Sequence, residues 1–225
     1  MPEWKSEQEM LALAREHLYT AVIGDICDSV GLRNQFLPAT LQPLDRSLRT
    51  VLVGRVLTVT EQDITEIPDE SQPWGLMLRA LDSLKPDEIY LCSGASCEYA
   101  LFGELMTMAA RSRGAVGAVC DGFVRDTHQI VDAKFPVFCQ GTYGRDQRGR
   151  GMVTDFGAPL TVGGVTVERG DLLIGDIDGI IVLPKVAEEE VLTLALAKAR
   201  TESEVRVAIA NGMLAEEAFA RYGVL

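Results

Sequence analysis

Residues 158–184 read APLTVGGVTVERGDLLIGDIDGIIVLP, and this block narrows the possible folds more than any other stretch. Gly163-Gly164, Gly170-Asp171 and Asp178-Gly179 are tight-turn signals set between short runs of Val, Ile and Leu. The pattern predicts consecutive short strands, which excludes an all-helical chain. Upstream the pattern alternates instead. Residues 6–18 place Met10, Leu11, Ala14 and Leu18 on one helical face. Thr20 reads as the N-cap of a second helix, AVIGDICDSVG, closed by Gly31. A β-branched strand is predicted over 50–59. After Pro68 and Pro73 a helix is predicted over 74–84, then a strand over 87–94.

A Gly/Ser/Ala loop then leads into a helix from near Gly103 to Gly114. AVGAVC reads as a buried strand, DGFVRD as the turn after it, THQIVDAK as a short helix and FPVFCQG as a further strand. A long helix over about 187–210 is stopped by Asn211-Gly212. Strand–helix units followed by a β-rich block predict one α/β domain over 1–225, with a mixed sheet or a partly closed barrel.

A chain of 225 residues can bury a sizeable core unaided. No apolar run approaches the ~18 residues of a membrane span. The opening MPEWKSEQEM carries charge where a secretory leader needs its apolar centre. The five cysteines, Cys27, Cys92, Cys97, Cys120 and Cys139, form no CxxC pair and read as reduced thiols of a cytoplasmic protein. A net charge of −12 argues against nucleic-acid binding, which leans on phosphate neutralisation. The densest basic stretch, GRDQRGRG with Arg145, Arg148 and Arg150, reads as a mobile loop. An anionic substrate would therefore need specific arginines to attract it.

Two stretches could carry chemistry. In GELM, Gly103 to Met106, a loop runs into a helix whose first-turn amides lack partners and favour negative charge. Those amides could bind a carboxylate or a developing enolate, with Glu104 facing water at a metal. Glu104 could equally be an ordinary helix-dipole residue. In CDGFVRDT, residues 120–127, Asp121 and Asp126 lie at a strand end, where α/β sheets bind ligands. Arg125 offers a planar fork for a carboxylate. Asp126 is a hard oxygen donor of the kind Mg²⁺ takes one or two of. The plainer reading is an ion pair on a turn. His17 and His128, the only histidines, show no zinc-ligand spacing with each other or with the cysteines. No GxSxG, GxxxxGK[ST] or GxGxxG motif occurs.

GELMTMAARSRGAVGAVCDGFVRD, then FPVFCQG, then VGGVTVERGDLLIGDIDGIIVLP, closely resembles the ribonuclease-activity-regulator-A-like (RraA-like) family, which includes divalent-metal-dependent 4-hydroxy-4-methyl-2-oxoglutarate aldolases. TAVIGDICDSVGL resembles the family's opening helix, and the resemblance covers about residues 18–212. It implies a swivelling β/β/α-type domain, assembled as a trimer or a dimer of trimers with sites at subunit interfaces. It implies Asp126 as ligand of Mg²⁺ or Mn²⁺, and Arg125 as the clamp on a pyruvate carboxylate. Gly103, Glu104, Leu105 and Met106 would form the substrate-binding loop, and Glu104 the acid acting on water at the metal. Glu204 or Glu202 would reach a neighbouring site. Glu104 stands where the aldolases carry aspartate, and the arginine-rich loop is longer than expected. The implied activity is release of pyruvate from a small 2-oxo acid by carbon–carbon cleavage, with oxaloacetate decarboxylation beside it. The family also implies an alternative: a non-catalytic regulator that binds and inhibits ribonuclease E or a similar protein.

Overall fold

The computed structural model describes residues 2–47, 49 and 51–224. The chain opens with α1 (Glu7–His17), capped by the Ser6 side chain accepting from the Glu9 amide, and α2 (Thr20–Ser29). Strands β1 (Gln42–Pro43) and β2 (Leu52–Asp63) follow, then α3 (Met77–Asp82), β3 (Glu88–Ser93) and β4 (Ala100–Phe102). Next come α4 (Glu104–Ser112), β5 (Gly117–Val124), α5 (Thr127–Asp132), β6 (Val137–Thr142) and β7 (Gly151–Phe156). The β-rich block supplies β8 (Leu160–Val162), β9 (Val165–Val167), β10 (Leu172–Asp176) and β11 (Gly179–Leu183). Helices α6 (Glu188–Ala210) and α7 (Ala215–Tyr222) close the chain.

One mixed sheet runs β1-β6-β5-β3-β2-β10-β11, with β4 added on β5 and β7 on β2. The β2, β3, β5 and β6 strands are mutually parallel, joined through helices as parallel pairing requires, while β10, β11, β1 and β7 join antiparallel. The sheet curls until its two halves face each other. A Cβ on Gly175 of β10 would stand 3.0 Å from the Phe138 ring of β6, with three strands between the two along the sheet. The enclosed interior is filled by Val56, Ile89, Leu91, Val119, Phe138 and Leu173. This is the nearly closed barrel the turn-rich block called for.

Alternation along β2 splits its outer face between two helical layers. Val53 joins the core made with α1, α2 and α6, whereas Leu57 and Val59 join the core under α3, α4 and α5. The second layer carries the site.

Several boundaries differ from the expectations. Thr20 is not a cap. It is the first residue of α2, and its amide and hydroxyl bind Asp176 of the GDIDG turn at 2.7 Å each. The strand predicted from residue 50 begins at Leu52, and Thr50 lies outside the described residues. The small-residue loop before Gly103 contains β4. DGFVRD is not a turn, because β5 continues to Val124 and only Arg125-Asp126 bends. The helix over 74–84 is confined to Met77–Asp82. GRDQRGRG leads into β7, and α7 follows the stop at Asn211-Gly212. The hairpin at Gly163-Gly164 forms as predicted, whereas the turn expected at Asp178-Gly179 falls one residue earlier, at Ile177-Asp178, with Asp176 paired to Gly179.

Candidate active site

Everything at the site hangs on how β5 ends. β5 is flanked there by β4 on one side and β6 on the other. The Arg125 amide donates to the Phe102 carbonyl at 2.9 Å, so the residue after the strand is still held by β4. Asp126 then takes a left-handed conformation, φ 57° and ψ 40°, and starts α5. Aspartate is among the few side chains that tolerate this region. The bend turns the Asp126 carboxylate toward the N-terminus of α4.

Gly103 makes room for it. A Cβ there would meet Asp126 Oδ2 at 2.7 Å and the Arg125 side chain at 3.3 Å. Asp126 Oδ2 accepts from the Glu104 amide at 3.2 Å, taking one of the three first-turn amides as its own partner. The Leu105 and Met106 amides have no such acceptor among the described residues, as befits a first turn, and Thr107 is the first amide to find one within the helix frame, at the Gly103 carbonyl.

Arg125 stands between two carboxylates. Its Nε lies 3.7 Å from Asp126 Oδ2 and its Nη1 lies 3.2 Å from Asp146 Oδ1. Asp146 belongs to the arginine-rich stretch expected as a mobile loop, which is instead fastened at both sides. The Ala100 amide of β4 donates to the Arg145 carbonyl, and Gln147 Nε2 donates to Glu61 Oε2 at 2.7 Å. Glu61 is almost fully buried, with Oε1 unpartnered. Burial pushes its carboxyl up to about 8, partly offset by the Gln147 hydrogen bond, so at neutral pH it is an uncharged acid behind the site wall.

Gly103, Leu105, Met106, Arg125 and Asp126 line one cavity of about 300 Å³, closed on another side by Asp146 and Gln147. Trp74 and α3 supply much of the remaining wall as hydrocarbon. The Glu104 side chain is half-buried and not part of that wall. Asp121 is not at the site either; it accepts from Ser93 and Gln140 at 2.7 and 2.8 Å. His128 is exposed and outside the lining. On α6, Glu202 is engaged by the Tyr19 hydroxyl and by Lys198, whereas Glu204 is exposed. Because α6 packs on α1 and α2, Glu204 belongs to the other helical layer from the cavity.

The donor set can be tested against a divalent cation. Among the described residues no three Asp, Glu, His or Cys side chains converge to hold a metal. Asp126, about 40% exposed, and Asp146 bracket Arg125 at one cavity. One or two carboxylates with the remaining positions left to water and substrate suit Mg²⁺, and suit zinc poorly.

Asp146, Gln147 and the α3 wall were not identified from sequence. The only signal for Asp146 was its place in an unassigned basic loop. Nothing local tied Gln147 to Glu61, 86 positions earlier.

A mixed α/β fold with a curled sheet, and a glycine-opened helix terminus facing an Arg-Asp pair, define the class. The RraA-like family model, described as Aldolase/RraA, matches residues 20–182, and the chain belongs to that family. It is 31% identical over 201 residues to a Halalkalibacterium halodurans protein named "Putative 4-hydroxy-4-methyl-2-oxoglutarate aldolase", covering 89% of each chain. An uncharacterized protein from Pseudomonas syringae pv. tomato superposes with TM-score 0.85 at 27% identity, covering 99% of this chain and 98% of that one. Streptomyces coelicolor RraAS2, described as an unusual member of the RNase ES inhibitor RraA family, shares the fold with TM-score 0.76 at 21% identity, covering 91% and 99%.

Proposed function

We propose that the protein is a divalent-metal-dependent lyase that releases pyruvate from 4-hydroxy-4-methyl-2-oxoglutarate-like 2-oxo acids, and that it also decarboxylates oxaloacetate. The observation that carries this is the convergence of Arg125, Asp126 and the free Leu105 and Met106 amides on one cavity. The name of the H. halodurans relative supports the same chemistry. A docking protein has no need of the clearance at Gly103.

Mg²⁺ or Mn²⁺ held by Asp126 would supply Lewis-acid stabilisation of the pyruvate enolate. Arg125 exchanges Asp146 for the substrate carboxylate and fixes the oxo acid in the cavity. The Leu105 and Met106 amides face the oxygen on which charge develops, and act without reorganising. Glu104, with no hydrogen-bond partner for its side chain among the described residues, accepts the C4 hydroxyl proton through a water, since it stands outside the wall. The C3–C4 bond then breaks, its electrons pass to the enolate, and C3 takes up a proton to give pyruvate. Assembly as a trimer or hexamer would let the exposed Glu204 reach a neighbouring site. The five cysteines, free in the structure, fit the cytoplasm as the setting, and no described helix is long and apolar enough to cross a membrane.

Pyruvate release coupled to lactate dehydrogenase tests the proposal, with 4-hydroxy-4-methyl-2-oxoglutarate and oxaloacetate, Mg²⁺ or EDTA, and wild type or Asp126→Ala. Release that needs metal and is lost in the variant supports it. The regulator reading draws on the net charge of −12, which suits docking on basic segments of a ribonuclease. Tight, metal-independent binding to ribonuclease E with no turnover would favour that reading instead.

A further inference from the structure

Behind the cavity wall lies a bond made entirely within one chain and shut away from water at both ends. Glu61 is 2% exposed and Gln147 4%, and Gln147 Nε2 donates to Glu61 Oε2 at 2.7 Å. The pair is therefore complete in a single protomer, whatever a neighbouring copy adds to the cavity. Glu61 continues the face of β2 that Leu57 and Val59 turn toward the site layer, and the β2–β7 ladder shifts register between Thr60 and Glu61. A carboxyl buried there, with Oε1 unpartnered, is costly. Packing alone would be served as well by a hydrocarbon side chain at each position. Gln147 lines the cavity next to Asp146, whose Oδ1 lies 3.2 Å from Arg125 Nη1. Of the side chains over 143–150, Gln147 alone is buried, so it is the anchor of the stretch that carries Asp146.

We propose that Glu61 is a positioning residue for the substrate clamp: through Gln147 it fixes Asp146, and Asp146 sets the Arg125 fork that takes the substrate carboxylate. This rests on the pyruvate-forming lyase reading and adds a residue to it. Asp146 helps Arg125 by its place and opposes substrate by its charge. Loosening the stretch and neutralising Asp146 therefore act in opposite directions on KM. No cation among the described residues acts on Glu61. Tyr90 and Cys92 of β3 and Tyr99 face it, and all three keep their protons at about pH 8. Burial raises both tyrosines, and the Cys120 contact together with burial raises the Cys92 thiol. The Tyr99 hydroxyl is spent on Asp63 at 2.7 Å. An ionised Glu61 would thus stand as an uncompensated charge behind the wall, and the stretch it anchors would shift.

The test measures KM and kcat separately for oxaloacetate decarboxylation, with saturating Mg²⁺. Glu61→Leu removes the acceptor of the buried bond, and Gln147→Leu removes its donor. Each should raise KM roughly tenfold while kcat stays within about twofold of wild type. The double variant should be no worse than either single one, since all three lack the same bond. Glu61→Gln keeps an acceptor for Gln147 and should restore the wild-type KM at about pH 7. From about pH 7 to about pH 9 the wild-type KM should rise several-fold, while that of Glu61→Gln stays flat. Should Glu61→Leu fail to fold, Gln147→Leu and the two pH profiles decide alone. An unmoved KM in the leucine variants, effects that multiply in the double variant, or the same pH rise in Glu61→Gln overturns the positioning role and leaves the lyase standing. A wild-type protein that does not turn over oxaloacetate overturns the lyase reading and this assignment with it.

Discussion

Gly103 and Asp126 are fitted to each other: Asp126 Oδ2 sits 2.7 Å from where a Cβ on residue 103 would be, and it accepts the amide of residue 104. The glycine is required by the carboxylate, not by its own backbone, which is extended with φ −155°. Gly103→Ala must therefore push Asp126 or Arg125 aside. The expected result is a loss of turnover on the order of 10²-fold, as a displacement of about 1 Å at reacting groups produces. The thermal midpoint should move little. Full activity in the alanine variant would show that Asp126 need not occupy this position.

Asp126 can lose its charge without losing its place. Asparagine tolerates the left-handed conformation and offers an oxygen to the Glu104 amide. Asp126→Asn should fold with near-wild-type stability, yet turn over pyruvate-forming substrates about 10²–10³-fold more slowly. Added Mg²⁺ should not rescue it. Circular dichroism and a metal titration of the rate check both halves.

If Arg125 clamps the substrate as proposed, Asp146 competes for it, being 3.2 Å from Nη1. Both partners of the pair are well exposed, and such pairs contribute about 0–1 kcal/mol. Asp146→Asn should therefore lower KM for oxaloacetate by up to about fivefold while kcat stays near wild type. A collapse of kcat would instead make Asp146 part of the cation's hold.

Glu61 makes stability depend on pH. Burial pushes its folded carboxyl up to about 8, above the ordinary carboxylate value of 4.5, so between those values the native state binds the extra proton. The stabilising contribution of the buried acid is complete below about 4.5 and is lost as pH rises through about 8. Urea midpoints should fall across that window and level off above it. Glu61→Gln keeps an acceptor for Gln147 and should abolish the decline, leaving the variant more stable than wild type at pH 9. An unchanged slope in the variant would assign the decline to other groups.

The parts of the fold legible in the sequence were those written in local periodicity and turn chemistry. The hairpin at Gly163-Gly164 and the long α6 appear where predicted, and the turn expected at Asp178-Gly179 falls one residue earlier, between the paired Asp176 and Gly179. β4 was missed because three residues, Ala100–Phe102, carry no period of their own and become a strand only by pairing with β5. The DG in DGFVRD carries strong turn chemistry, yet pairing on both sides of β5 keeps the strand going to Val124. At the site, Gly103, Arg125 and Asp126 were readable because helix start and strand end are local signals. Asp146 and the Glu61–Gln147 pair were not, since they depend on contacts between distant segments. The apolar α3 wall was read only as a helix, since nothing local marks Leu78, exposed beside the cavity, apart from core leucines.

The central claim is that Arg125 and Asp126 hold pyruvate so that its enolate can form, and this is testable without knowing the leaving half. Protein, pyruvate and Mg²⁺ in D₂O, followed by proton NMR, report exchange of the pyruvate methyl hydrogens. The account predicts exchange well above the spontaneous rate, abolished by EDTA and by Asp126→Ala. Exchange no faster than without protein, in folded protein saturated with Mg²⁺, would contradict it.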